Sequence, residues 1–165
     1  MHRKIQLNLF YWLAPLCMLI YSCSDDTIFP EAPELKIVGM SNNTIKQSFI
    51  PDSDSILFTL QFRDGDGDFG SNATDTSKIF FIDSRTDFEY SFVIPDIMAS
   101  GTRGIEGEIT VKTGAVCCIF PDGDIPCTPR PDYPVDTMNY LIYLLDLGGR
   151  SSDTLRSDEI YISCD

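Results

Sequence analysis

The chain has 165 residues and a formal net charge of −13, from 25 acidic and 12 basic residues. So acidic a surface repels phosphate backbones, which argues against nucleic-acid partners and suits a divalent cation or a basic partner. The single histidine (His2) and single tryptophan (Trp12) both fall within the first 22 residues, so removal of that segment leaves no imidazole for Ser-His-Asp or Cys-His catalysis or for His-ligated zinc, and no indole for stacking on a sugar.

The chain begins with the basic residues His2, Arg3 and Lys4, followed by an apolar run from Ile5 to Ile20. Gln6, Asn8 and Pro15 interrupt that run. It is short for a bilayer span and reads as a secretory signal peptide over residues 1–22. Tyr21-Ser22-Cys23 places a small residue before a cysteine and resembles the lipobox of bacterial lipoproteins. The resemblance implies that Cys23 becomes the first residue and carries the acyl chains. Cys17 competes for that role, but Leu16 before it is bulky and Met18 after it continues the apolar run. Ser24-Asp25-Asp26 resembles the surface-export signal of Bacteroidota lipoproteins. Together these features imply an outer-membrane location, anchored by lipid and facing the cell exterior, with the N-terminal anchor as the membrane contact. All 25 acidic residues and 10 of the basic ones follow residue 22, so the processed chain of 143 residues carries −15. That length suits one domain with one core.

Residues 23–34, with Pro30 and Pro33, lack apolar periodicity and read as a tether; about ten extended residues reach roughly 30 Å. The domain is expected over 35–165. Short β-rich runs between turn signals fill it. They are Leu35 to Met40, Ser55 to Arg63, Lys78 to Asp83, Phe88 to Ile94, Gly107 to Lys112, Met138 to Asp146 and Asp158 to Ser163. No segment has a helical period. Residues 95–105 and 119–136 read as long connections rich in Gly and Pro. Seven strands at this spacing predict an all-β domain, a single antiparallel β-sandwich of immunoglobulin or fibronectin type III kind, with a small barrel or jelly roll as the alternative.

Outside the signal and Cys23, four cysteines remain: Cys117, Cys118, Cys127 and Cys164. Four in an exported domain predict two disulfides. A bridge between the adjacent Cys117 and Cys118 would strain the intervening peptide. Two schemes remain, each joining one of the pair to Cys127 and the other to Cys164. Alternating strand directions put all four cysteines at one pole, since three lie between strands five and six and Cys164 ends strand seven. The same alternation puts the ends of strands two and six, and the tether, at the opposite pole.

That opposite pole carries the one constellation with chemistry. Strand two runs into Asp64-Gly65-Asp66-Gly67-Asp68-Phe69-Gly70. Carboxylates at alternate positions, with glycines free to take unusual dihedrals between them, can curl round one hard cation. Asp64, Asp66, Asp68, Asn72 and Asp75 fall at EF-hand ligand positions. Phe69, however, takes the place of the turn glycine, and a strand precedes the loop, so the chain does not predict an EF-hand. The run resembles the calcium-binding Asp-rich loop of cadherin-like and other immunoglobulin-like bacterial surface domains. Asp146, ending strand six at the same pole, opens Asp146-Leu147-Gly148-Gly149, which resembles their Asp-x-x-Gly hairpin. The expected ligands of a structural calcium are Asp64, Asp66, Asp68 and Asp146, with Asp75 or Asp83 in reserve. An empty, solvated Asp-Gly turn is the competing reading.

Phe80, Phe81, Tyr140 and Tyr143 are expected to pack within and across strands. Asp83 and Arg85 are expected to form a turn ion pair of little energy. Pro126 to Pro134 reads as an exposed loop stapled by a disulfide. From Leu35 onward the DGDGD-x-G run, the cysteine-paired loop and the terminal strand ending in cysteine resemble a group of uncharacterised Bacteroidota lipoproteins. The resemblance implies placement and architecture, and no activity. The expected function is a non-enzymatic, calcium-stabilised binding or adhesion module with an unidentified protein partner. The alternative is a glycan-binding accessory lipoprotein of a polysaccharide-uptake system.

Overall fold

The segment Ser55–Asp64 shows how this chain builds its core. Ile56, Phe58, Leu60 and Phe62 alternate with Leu57, Thr59, Gln61 and Arg63, and an extended backbone sends successive side chains to opposite faces. The first four are all buried, at 2% exposure or less. The computed structural model describes residues 29–51, 53–72, 74–95 and 104–165. The expected signal peptide, the expected acylation site Cys23 and the first part of the expected tether lie outside the described residues.

Among the described residues the chain forms ten strands and no helix. They are β1 (Glu34–Met40), β2 (Thr44–Lys46), β3 (Ser55–Asp64), β4 (Lys78–Asp83), β5 (Phe88–Val93), β6 (Ile105–Gly114), β7 (Val135–Met138), β8 (Tyr140–Leu145), β9 (Leu155–Arg156) and β10 (Ile160–Ser163). Seven of them answer to the predicted strands. The additions, β2, β7 and β9, are four residues long or shorter, too brief to display a period.

The sheets run β1-β3-β6, β5-β4-β8-β9 and β2-β10-β7. The last two are closely joined. Only Asn139 separates β7 from β8, and three residues separate β9 from β10. Ser157 bridges the break by donating its N–H to the Tyr140 carbonyl at 2.8 Å and accepting the Tyr140 N–H on its hydroxyl at 2.9 Å. The result is an antiparallel β-sandwich with one parallel pair, β2 beside β10. That pair arises because the chain leaves the first sheet after Met40 and joins the second at Thr44.

The two faces meet through aromatic rings. Phe58 of β3 packs edge-to-face on Phe81 of β4 at 5.4 Å and on Tyr140 of β8 at 5.9 Å. Phe80 and Tyr143 stack at 4.6 Å on neighbouring strands, half-buried outside that core. Both pairs follow the packing expected of them.

The disulfides are Cys117–Cys127 and Cys118–Cys164, one of the two schemes the sequence left open. All four cysteines meet at one pole, where Gln47 donates to the Cys164 carbonyl and accepts the Cys118 N–H. The Asp83–Arg85 pair differs from expectation. Arg85 is nearly enclosed and bonds Asp83, Asp136 and the Cys117 carbonyl. It is a buried bracket joining the β4–β5 turn to the disulfide loop, because Asp136, 51 residues on, folds back against it. The Pro126–Pro134 loop is largely exposed and is tied down through Arg130, whose N–H reaches the Cys164 carbonyl and whose guanidinium lies 4.9 Å from the Phe120 ring.

Candidate metal centre

At the other pole β3 and β8 end side by side with the carboxylates of Asp64 and Asp146. The loop after Asp64 turns at Gly67, whose φ of 72° is the left-handed region that glycine enters freely. Phe69, which breaks the EF-hand pattern, turns inward instead, buried and stacked on Phe62 at 4.3 Å. It pins the loop to the core. The Leu147 N–H then donates to the Asp68 carbonyl at 3.0 Å, joining the acidic loop to the β8–β9 hairpin. Within that hairpin Asp146 accepts the Arg150 N–H at 2.7 Å and so closes its own turn. A Cβ at Gly148 would lie 2.6 Å from an Asp68 carboxylate oxygen, so any larger residue there would displace Asp68.

These contacts bring Asp64, Asp68 and Asp146 together, with one carboxylate oxygen from each lying within 4.8 Å of the others. Asp64 is fully buried, and neither of its oxygens has a hydrogen-bond partner. One oxygen each of Asp68 and Asp146 is enclosed and has no hydrogen bond as well. Burial pushes the Asp64 carboxyl up to about 7, and the charges of Asp66, Asp68 and Asp146 add to the rise; the Gly67 N–H pulls the other way from outside hydrogen-bonding geometry. Burial, then the charges of Asp146 and Asp66, raise Asp68 to about 6 against the pull of Arg150.

The other expected ligands are placed differently. Asp66 ion-pairs with Arg150 at 2.5 Å and is not one of the three clustered carboxylates. Asp75 is exposed, and Asn72 uses its side-chain oxygen to cap the local turn at Thr74 and Asp75. Asp83 lies at the far end of β4, held by Arg85 at the disulfide pole, so it cannot serve this site.

The residue that sequence reading passed over is Arg150. Its guanidinium lies 3.6 Å from Asp68, 3.5 Å from Asp146 and 3.6 Å from Glu31. The signal was its position, four residues after Asp146 and directly after the glycine that ends the Asp-x-x-Gly run. The last residues of the expected tether also reach this pole. Pro33 is buried, and the Phe29 ring lies 5.5 Å from the Arg63 guanidinium. Such a cluster can hold one hard cation on oxygen, and a positive charge there would relieve the repulsion that adds to burial in raising two of its carboxyls. No family model, no curated protein and no solved structure matches the chain.

Proposed function

We propose that this chain is a surface-tethered lipoprotein whose β-sandwich is a non-enzymatic binding or adhesion module, locked at its tethered pole by calcium. The observation that carries the calcium reading is Asp64, a fully buried carboxylate with both oxygens unpaired, facing two further carboxylates. A lone buried carboxylate costs several kcal/mol unless it is paired or coordinates a metal. Oxygens on opposite sides of a calcium ion stand about 4.6–5.2 Å apart, given Ca–O distances of roughly 2.3–2.6 Å. A spread of up to 4.8 Å is thus within calcium's reach. Asp64, Asp68 and Asp146 would supply three of the oxygens, with Asp66 available once it releases Arg150. The cation would cross-link the ends of β3 and β8, one from each sheet, and stiffen the pole from which the chain leaves for its anchor. The lipid anchor and exterior placement rest on the lipobox-like Tyr21-Ser22-Cys23 and the acidic residues after it.

Titration calorimetry of the chelator-treated protein with calcium tests the site. We expect saturable heat, a higher melting temperature with calcium, and loss of both in Asp64→Asn. Absence of heat and of any melting shift at millimolar calcium would sink the reading.

A further inference from the structure

Three non-glycine residues among those described have a left-handed backbone: Asp87 (φ 55°), Ala115 (φ 55°) and Cys127 (φ 60°). One of them lines a cleft at the disulfide pole, and the other two adjoin residues that line it. Ala115 lines it, and so do Thr86 and Phe88 on either side of Asp87, Pro126 before Cys127, and Cys127's disulfide partner Cys117. Asp87 closes a hairpin, and Asp tolerates that region. Cys127 is held by its disulfide to Cys117, ten residues away, whereas Ala115 has no such local reason. Conformations of this kind persist where surrounding structure enforces them, and they gather at ligand sites.

The cleft holds about 510 Å³, inside the roughly 300–1,000 Å³ typical of small-molecule sites. It opens between β5 and β6, the edge strands of the two sheets. Phe88, Tyr90 and Tyr140 form an aromatic wall, with ring centroids 6.4 Å apart for the first two and 6.0 Å for the last two. Phe88 is 65% exposed and so presents its ring to solvent at the cleft. The Tyr90 hydroxyl is enclosed, and the Tyr140 hydroxyl beside it stands outside hydrogen-bonding geometry, although buried tyrosine hydroxyls usually find a partner. At the polar end Arg85 lies 2.6 Å from both Asp83 and Asp136. Two carboxylates around one guanidinium leave a net charge of −1 there, so Arg85 offers nothing to an anion.

We propose that this cleft binds an uncharged ring compound with apolar faces and a hydrogen-bond-accepting oxygen. The ring would lie against Phe88, Tyr90 and Tyr140, and its oxygen would take the Tyr90 hydroxyl proton. The site stands at the pole opposite the carboxylate cluster and does not depend on calcium. A pyranose and a phenyl alcohol share this chemistry, and the probes separate them. The full chain, isotope-labelled in lipid nanodiscs, is titrated with methyl glucoside, benzyl alcohol and benzoate and followed by amide chemical shifts. We expect saturable shifts centred on Tyr90, Ala115 and Ile119 from at least one neutral probe, with benzoate weaker by about tenfold or more. A response to the glucoside marks a saccharide site, and a response to benzyl alcohol alone marks an aromatic one. Tyr90→Phe removes only the hydroxyl and should weaken binding about fivefold without lowering the melting temperature. Phe88→Ala alters an exposed ring that the fold does not need and should weaken it similarly. No saturable shift from either neutral probe at millimolar concentration, equal binding of benzoate, or unchanged binding in either variant would overturn the proposal.

Discussion

Asp64 sets the chemistry of its pole because it is charged only at a cost. Its carboxyl titrates near 7 in the fold, against about 3.9 in an unfolded chain. The folded state therefore binds the proton more tightly, and its contribution to stability is complete below the unfolded value and lost as pH rises through the folded one. Without metal, Asp64 destabilises the fold as pH rises from about 4 to about 7, and Asp68 as it rises from about 4 to about 6. For a fully buried carboxyl, each tenfold gain in proton affinity on folding is worth on the order of 1.4 kcal/mol. Calorimetric melting of chelated protein across that range should show a fall that is smaller in Asp64→Asn, and smaller again in calcium-loaded wild type. Identical pH profiles for wild type and variant would refute the assignment. Arg150 is the complementary residue. It lies within ion-pair distance of Asp66, Asp68 and Asp146, so an entering cation must compete with it. Arg150→Gln should tighten calcium binding about five- to tenfold by calorimetry; weaker binding would mean that the guanidinium organises the site instead of occupying it.

At the scale of elements, the disulfides divide their work by span. Cys118–Cys164 closes 46 residues and Cys117–Cys127 closes 10. Loop-closure entropy then assigns about 4 kcal/mol to the first and about 3 kcal/mol to the second. Chemical denaturation of Cys118→Ala/Cys164→Ala and of Cys117→Ala/Cys127→Ala should rank them in that order. The reverse order would show that the short loop carries the anchoring. The strands were legible wherever a period could express itself, as in Ile56, Phe58, Leu60 and Phe62. The pieces β2, β7 and β9 were not, because they exist only through partners distant in sequence: β2 needs β10, and β7 needs the same strand from the other side. The carboxylate cluster was legible in part. Alternating strand direction brings Asp64, Asp68 and Asp146 together, whereas the reserve ligand Asp83 ends β4 at the wrong pole. Asp136 escaped notice because its burial depends on Arg85, 51 residues away. Phe69 looked like a defect in a metal loop, and only its stacking on Phe62 shows it to be the loop's anchor.

For the whole molecule, the two candidate sites lie at opposite poles, and the chain enters at the acidic one. Glu31 meets Arg150 there, and Glu34 opens β1 opposite Arg63. An anchor at Cys23 would therefore turn the acidic pole toward the membrane and the aromatic cleft outward. Metabolic labelling with a fatty acid should mark the wild type and leave Cys23→Ala unlabelled and released from the membrane fraction. Persistent labelling of the variant would move the attachment elsewhere.

The ten-residue strand β6 pairs only with β3 among the described residues, so its other side is an open edge. Its outward positions are Glu106, Glu108, Thr110 and Lys112, all exposed. Two copies that approached along these edges running in the same direction would set Glu106 against Glu106 and Glu108 against Glu108 before their backbones could bond. Copies of this chain can thus stand close together without zipping edge to edge in that direction, a safeguard that resides in two glutamates and is independent of any ligand.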